Sequence, residues 1–175
     1  TPLYSSAASD VYKRQVKQRG VTLIQMLSAL AVAVLLTQLG MPAYARMSDD
    51  LHRAAAARDL AQALRSARSH AMLQSQPVLV LALDGNWGNG WRVVLEYNRQ
   101  VLREQRLSKP LKITSNRGEQ FKFSALGVPM TSGNSWLGAT LEMCERAAAR
   151  SRYQVALASS GRVRLLTEDR SNDRC

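Results

Sequence analysis

Lys17-Gln18-Arg19-Gly20, followed by VTLIQMLSALAVAVLLTQLGM (Val21–Met41), is the stretch that decides the fold. No residue from Gly20 to Ala45 is charged, and Leu, Val, Ala, Ile and Met dominate the run. A helix over Val21–Met41 spans about 32 Å, close to the roughly 30 Å hydrocarbon thickness of a bilayer. Lys13, Arg14, Lys17 and Arg19 precede it. The positive-inside rule keeps that end cytoplasmic and exports everything after Ala45. A secretory signal would have a shorter apolar region and an Ala-x-Ala-like exit, which Pro42-Ala43-Tyr44-Ala45 matches only weakly. A buried soluble helix would carry a polar face, whereas Thr22, Gln25, Ser28, Thr37 and Gln38 are few and uncharged. The reading is a membrane-inserted helix over 21–45.

Outward from this run, 175 residues make one ordinary domain with an appendage. With 46% hydrophobic and 21% charged residues the chain buries a core and is not a disordered polyelectrolyte. There are 24 Lys+Arg against 13 Asp+Glu, and 19 of the 24 are Arg. A net charge of +11 disfavours cation binding and favours anionic partners, nucleic acid or phospholipid headgroups. Two Cys and two His, none closely spaced, propose no metal site, and no cofactor motif occurs. His52 and His70 lack a nucleophile–base–carboxylate arrangement, so the chain does not read as an enzyme. Trp87, Trp91 and Trp136 read as core or turn-packing residues rather than a ligand cage. Residues 1–15 (TPLYSSAASDVYKRQ) have no periodicity, resemble translated adapter sequence and are set aside.

Past Ala45 the pattern turns amphipathic. Leu60, Leu64, Ala67 and Ala71 share one helix face, while Arg58, Arg65 and Arg68 fall on another that reads as solvated surface. Pro77 predicts that the helix ends near Gln74. The spacing then predicts strands over 78–83, 91–96, 101–107, 121–124, 139–143, 153–157 and 162–166, with Gly85–Gly90 as a turn. The fold class is α+β: a long N-terminal helix, half membrane and half amphipathic (46–75), packed on an antiparallel β-sandwich-like head (77–175).

In an exported domain, where disulfides persist, an even cysteine count predicts a Cys144–Cys175 bridge. The late basic residues Arg146, Arg150, Arg152, Arg162, Arg164, Arg170 and Arg174 are all Arg, whose planar fork suits phosphate. The strand period puts Arg162 and Arg164 on one face, about 7 Å apart, near the spacing of neighbouring phosphates. Pairing with Glu142, Glu145, Glu168, Asp169 and Asp173 is the competing fate for these charges.

Lys17–Gly20 and Val21-Thr22-Leu23-Ile24-Gln25 resemble the prepilin motif of type IV pilins and type II secretion pseudopilins, and Pro42 stands where pilins carry a helix-kinking proline. The resemblance implies that a prepilin peptidase cuts between Gly20 and Val21 and methylates the new amine. Cleavage makes 1–20 a leader and leaves 20 basic against 12 acidic residues. Val21 replaces the usual Phe. Gln25 replaces the usual Glu, which weakens pairing with a neighbouring subunit's amine and suits a scarce or tip-located subunit.

Farther on, Ala63–Ala71, Gln76-Pro77-Val78, Gly90-Trp91-Arg92-Val93, Phe123–Gly127, Leu141–Cys144 and Ser160-Gly161-Arg162-Val163-Arg164 follow in the order of the GspH/FimT branch. The resemblance runs across nearly all of 17–164. In FimT-type minor pilins of natural transformation a Gly-Arg-x-Arg motif contacts DNA, and Gly161, Arg162 and Arg164 fit it without a gap. The implied function is a minor pilin that binds DNA non-specifically, with Arg150, Arg152, Arg170 and Arg174 as weaker contacts. The implied partners are DNA, prepilin peptidase and other pilins through the N-terminal helix. The implied location is the inner membrane, head periplasmic, and then a pilus. The alternative is a minor pilin or type II secretion pseudopilin that primes assembly without binding DNA.

Overall fold

The computed structural model describes residues 22–131, 133–136, 138–145, 150–171 and 175, with side chains of 169–171 excepted. Gly20, Val21, Arg146 and Arg174, and the Arg170 side chain, lie outside what it describes. The chain divides into two compact units, the first reaching Ala45 and the second Arg46–Cys175.

Helix α1 covers Leu23–Gln74, ending where Pro77 predicts, and contains Pro42. It opens with a reciprocal cap. The Gln25 amide donates to Thr22 Oγ1 at 3.4 Å, and the Thr22 amide donates to Gln25 Oε1 at 3.0 Å. Thr-x-x-Gln is a capping box, so the Gln25 side chain satisfies the Thr22 amide and the Thr22 hydroxyl that of Gln25. In the first unit Leu23, Ile24, Leu27, Leu30, Leu35 and Leu36 are all exposed. The most apolar 18-residue window has mean hydropathy 1.9 and none of it is buried. The helix is long and apolar enough to cross a membrane.

In the second unit, nine strands follow among the described residues: β1 Val78–Leu83, β2 Asn86–Leu95, β3 Val101–Arg106, β4 Lys112–Ser115, β5 Gln120–Phe123, β6 Pro129–Met130, β7 Ala139–Cys144, β8 Arg150–Leu157 and β9 Val163–Ser171. They form two antiparallel sheets, β3-β2-β1-β5-β6 and β4-β7-β8-β9. The predicted face Leu60, Leu64, Ala67 and Ala71 is fully buried, joined by Ala57, Ala61 and Ala63. Their small side chains let the sheets come close, and Trp91, Phe121, Phe123, Leu141, Met143 and Val155 complete the core. Each fully buried Leu or Phe contributes roughly 1.5–3 kcal/mol.

Two sequence expectations need correction. Gly85–Gly90 is not the turn. Asp84 and Gly85, at φ 52° and 71°, make a two-residue turn between β1 and β2, and the strand starts at Asn86. Gly88 and Gly90 lie within β2, where a Cβ would stand 1.9 Å from the Leu111 carbonyl oxygen and 2.0 Å from that of Gln105. Trp87 is thereby buried, stacks on Phe121 at 5.1 Å and donates to the Gly118 carbonyl. Trp91 is buried too, but Trp136 is 72% exposed and packs no core.

Candidate nucleic-acid interface

Gly161 is buried at φ 79°, in the tight turn between β8 and β9, and has no room for a side chain. A Cβ there would lie 2.5 Å from the Gly127 carbonyl oxygen and 2.8 Å from Arg68 Nε. Arg68, on α1, donates from Nε to the Gly127 carbonyl at 3.1 Å and from Nη1 to the Gly161 carbonyl at 3.0 Å. Arg65 Nη2 reaches the Val163 carbonyl at 3.4 Å. Arg58 and Arg65 are exposed, as their spacing predicts, whereas Arg68 is half-buried and turned to backbone carbonyls, with Arg65 reaching a third. Arg65 and Arg68 clamp the loop that carries the next two arginines.

Arg162 precedes β9 and Arg164 lies in it; both are exposed, while Val163 between them is buried. Neither is ion-paired among the described residues. Six other basic groups of the head pair with acids: Arg53, Arg92, Arg106, Lys109, Lys122 and Arg152. Arg92 and Arg106 both bond Glu104, whose carboxyl they hold below its ordinary range, Arg92 more strongly. Lys109 pairs with Asp49 and Lys122 with Glu96.

Arg152 stands apart from Arg162 and Arg164. Between Ser151 and Tyr153 the β8–β9 register shifts, and the β7–β8 register shifts at the same level. A bulge of this kind re-aims side chains. Arg152 Nη1 and the Tyr153 hydroxyl both reach Asp50 Oδ2 on α1, each at 3.1 Å. Among the described residues Asp50 Oδ1 has no hydrogen bond and only a 3.5 Å ion pair with Arg53, which also lies 3.6 Å from Glu145. Burial first, then the bond to Asp50, pushes the Tyr153 phenol above its ordinary value. Arg150 is exposed at the start of β8.

The outer face of β4-β7-β8-β9 carries a furrow of about 560 Å³. Two cross-strand rows cross it. One runs Arg164–Ala156–Thr140, continued by Asn116, whose amide donates to the Thr140 carbonyl. In the other the Ala158 amide donates to the Arg162 carbonyl, and Gly138 lies beside Leu157 and Ser159. Cys144 and Cys175 form a disulfide, and Lys112 donates to the main-chain oxygen of Cys175. This bond ties residue 175 to the end of β7.

A family model described as Type II transport protein GspH matches residues 56–161. The chain belongs to the GspH family. That match spans the clamp from Arg65 and Arg68 to Gly161. Among solved structures, the type IV minor pilin FimU of Pseudomonas aeruginosa (strain PAO1) is similar in two crystal forms. The P21 form has a TM-score of 0.59 at 20% identity and covers 72% of this chain and 98% of FimU. The P65 form has 0.53 at 21%, covering 67% and 97%. The minor pseudopilin EpsH of the Vibrio cholerae Type 2 Secretion System gives 0.48 at 17%, covering 63% and 93%. No curated protein matches significantly. At such identity the likeness to FimU establishes the GspH-type fold, a long N-terminal helix on antiparallel sheets. The matched family is described as a type II transport protein, and FimU is a type IV minor pilin.

Proposed function

We propose that this GspH-family chain is a minor type IV pilin whose Arg162 and Arg164 bind DNA without reading sequence, for uptake in natural transformation. The observation that carries the reading is the pair itself. Two exposed guanidiniums stand on one side of a loop fixed by Gly161 and Arg68, with no carboxylate partner among the described residues. Phosphates are their complementary ligand, because Arg forms bidentate contacts with them. Arg150 adds charge on β8; Arg152, engaged with Asp50, contributes less.

The apolar helix anchors the subunit in the inner membrane with the head periplasmic, prepilin peptidase cuts between Gly20 and Val21, and the helix then joins other pilins. Pilus retraction draws captured DNA inward. The FimU fold and the apolar helix support this placement.

The test is a mobility-shift titration of the detergent-solubilised full-length chain across a salt series. Arg162→Ala and Arg164→Ala should each weaken duplex binding and flatten the salt slope by about 0.9 per lost contact. Wild-type affinity and slope in the double variant would leave a minor pilin or type II secretion pseudopilin that does not bind DNA.

A further inference from the structure

Asn116, just past β4, is exposed and lines the same furrow as Arg162 and Arg164. Its side chain is held from one end, where Oδ1 accepts from the Thr140 amide at 2.8 Å. A backbone N–H can only donate, so the atom facing it is the oxygen, and Nδ2 keeps two N–H donors. Among the described residues Nδ2 makes no hydrogen bond. The main chain is fixed as well, since the Asn116 amide donates to the Thr140 carbonyl at 3.2 Å. These two bonds extend the β4–β7 pairing by one residue beyond Ser115 and Leu141. The row Arg164–Ala156–Thr140–Asn116 thus crosses β9, β8 and β7 to the end of β4. That is three strand spacings, roughly 14 Å at the Cα atoms.

Between the two ends the surface is low, with Ala156, Thr140 and Gly138 half-buried along it. No acidic side chain lines the furrow among the described residues. Glu142, the next residue on the same face of β7, is buried. The furrow therefore offers guanidiniums at one end and a neutral, pre-aligned amide donor at the other. Phosphate backbones accept from both kinds of group, because Asn side chains share phosphate contacts with Arg in protein–DNA interfaces. A backbone laid along β9 would meet the arginines and miss Asn116. One laid across the strands meets all three.

We infer that Asn116 is a further DNA-binding residue: Nδ2 donates to a phosphate oxygen of the strand that Arg162 and Arg164 hold, so the DNA backbone crosses β9, β8 and β7 instead of following β9. This rests on the DNA-binding reading of the arginine pair. The test is fluorescence anisotropy of the detergent-solubilised, oxidised full-length chain with a mixed-sequence duplex across a salt series. Asn116→Ala should weaken binding roughly three- to tenfold and leave the salt slope unchanged, because a neutral donor displaces no counterion. Asn116→Asp keeps an acceptor for the Thr140 amide but replaces the donor with a negative charge. It should bind more weakly still, with the deficit narrowing as salt rises. Asn98→Asp is the control, an exposed residue in the β2–β3 turn whose Oδ1 likewise accepts a backbone amide, from Gln100 at 3.0 Å. It makes the same charge change and should bind like wild type. Equal binding by Asn116→Asp and Asn98→Asp, with binding impaired in the Arg162/Arg164 double variant, overturns the Asn116 contact but not the pair. A fall of about 0.9 in the slope of Asn116→Ala would mean that the change displaces an arginine, and overturns the direct contact. Wild-type binding in the double variant defeats the DNA reading and this inference with it.

Discussion

Arg68 on α1 and Gly161 in the β8–β9 turn, 93 residues apart in sequence, are joined by a 3.0 Å bond from Nη1 to the carbonyl oxygen. The same guanidinium holds Gly127 at 3.1 Å. One planar fork thus spans two turns, each made by a glycine at positive φ. Arg68 fixes where Arg162 starts, without needing to touch a ligand itself.

Gly161→Ala should therefore be costly. The added methyl meets both the Gly127 carbonyl oxygen and the Arg68 guanidinium, and the left-handed φ strains any L-residue. A loss of about 1–3 kcal/mol is expected. Arg68→Ala leaves two carbonyls without their donor and should cost a similar amount, about 1–3 kcal/mol. Arg68→Lys keeps the charge but lacks the fork and should recover only part. Thermal melts of the four proteins check this; a Gly161→Ala variant with wild-type Tm would show that the clamp does not constrain the loop.

How much of this was legible beforehand depends on the kind of signal. The helix face of Leu60 and Leu64 and the strand 78–83 follow from periodicity and apolar runs, and the structure reproduces them. Gly85–Gly90 misleads because six residues rich in Gly and Asn look like one long turn. The Asp84-Gly85 pair is the available signal, and Gly88 and Gly90 are instead places where neighbouring backbone crosses closely. The polar strand Lys112–Ser115 has too few apolar residues to announce itself. The roles of Arg65 and Arg68 are invisible in sequence, since their partners are carbonyls whose position only the tertiary fold sets. Arg152 illustrates the same limit: a bulge, not a motif, turns it to Asp50.

The disulfide between Cys144 and Cys175 closes a loop of 31 residues in sequence separation. In the chain-entropy model this contributes roughly 3–4 kcal/mol. Native alkylation without reductant should label neither cysteine, and the Cys144→Ser/Cys175→Ser double variant should unfold at correspondingly lower denaturant. Stoichiometric labelling of both thiols in the native protein would refute the bond.

Tyr153 gives a pH signature. Its phenol is held above its ordinary value by burial and by donating to Asp50 Oδ2. Between the unfolded and folded pKa values the native state binds more protons than the unfolded chain. The stabilisation is thus fully present below the unfolded pKa near 10 and declines as pH rises through the folded value. Tyr153→Phe should lose about 1 kcal/mol at neutral pH and flatten that alkaline decline. Urea titrations from pH 8 to 11 measure both; an unchanged alkaline slope in Tyr153→Phe would assign the decline to another group.

The apolar half of α1 makes a further prediction. Leu30 is exposed in a charge-free run, and lipid is the solvent that would favour it. Leu30→Arg places a cation near the middle of the span, at about 2.5–3.5 kcal/mol on the translocon scale. Leu73→Arg puts the same charge outside that run, at a position 82% exposed near the end of α1. Alkaline carbonate extraction of expressing cells should leave wild type and Leu73→Arg in the membrane pellet and release a large share of Leu30→Arg. Wild-type protein found wholly in the supernatant would mean that the run is covered by something other than a bilayer.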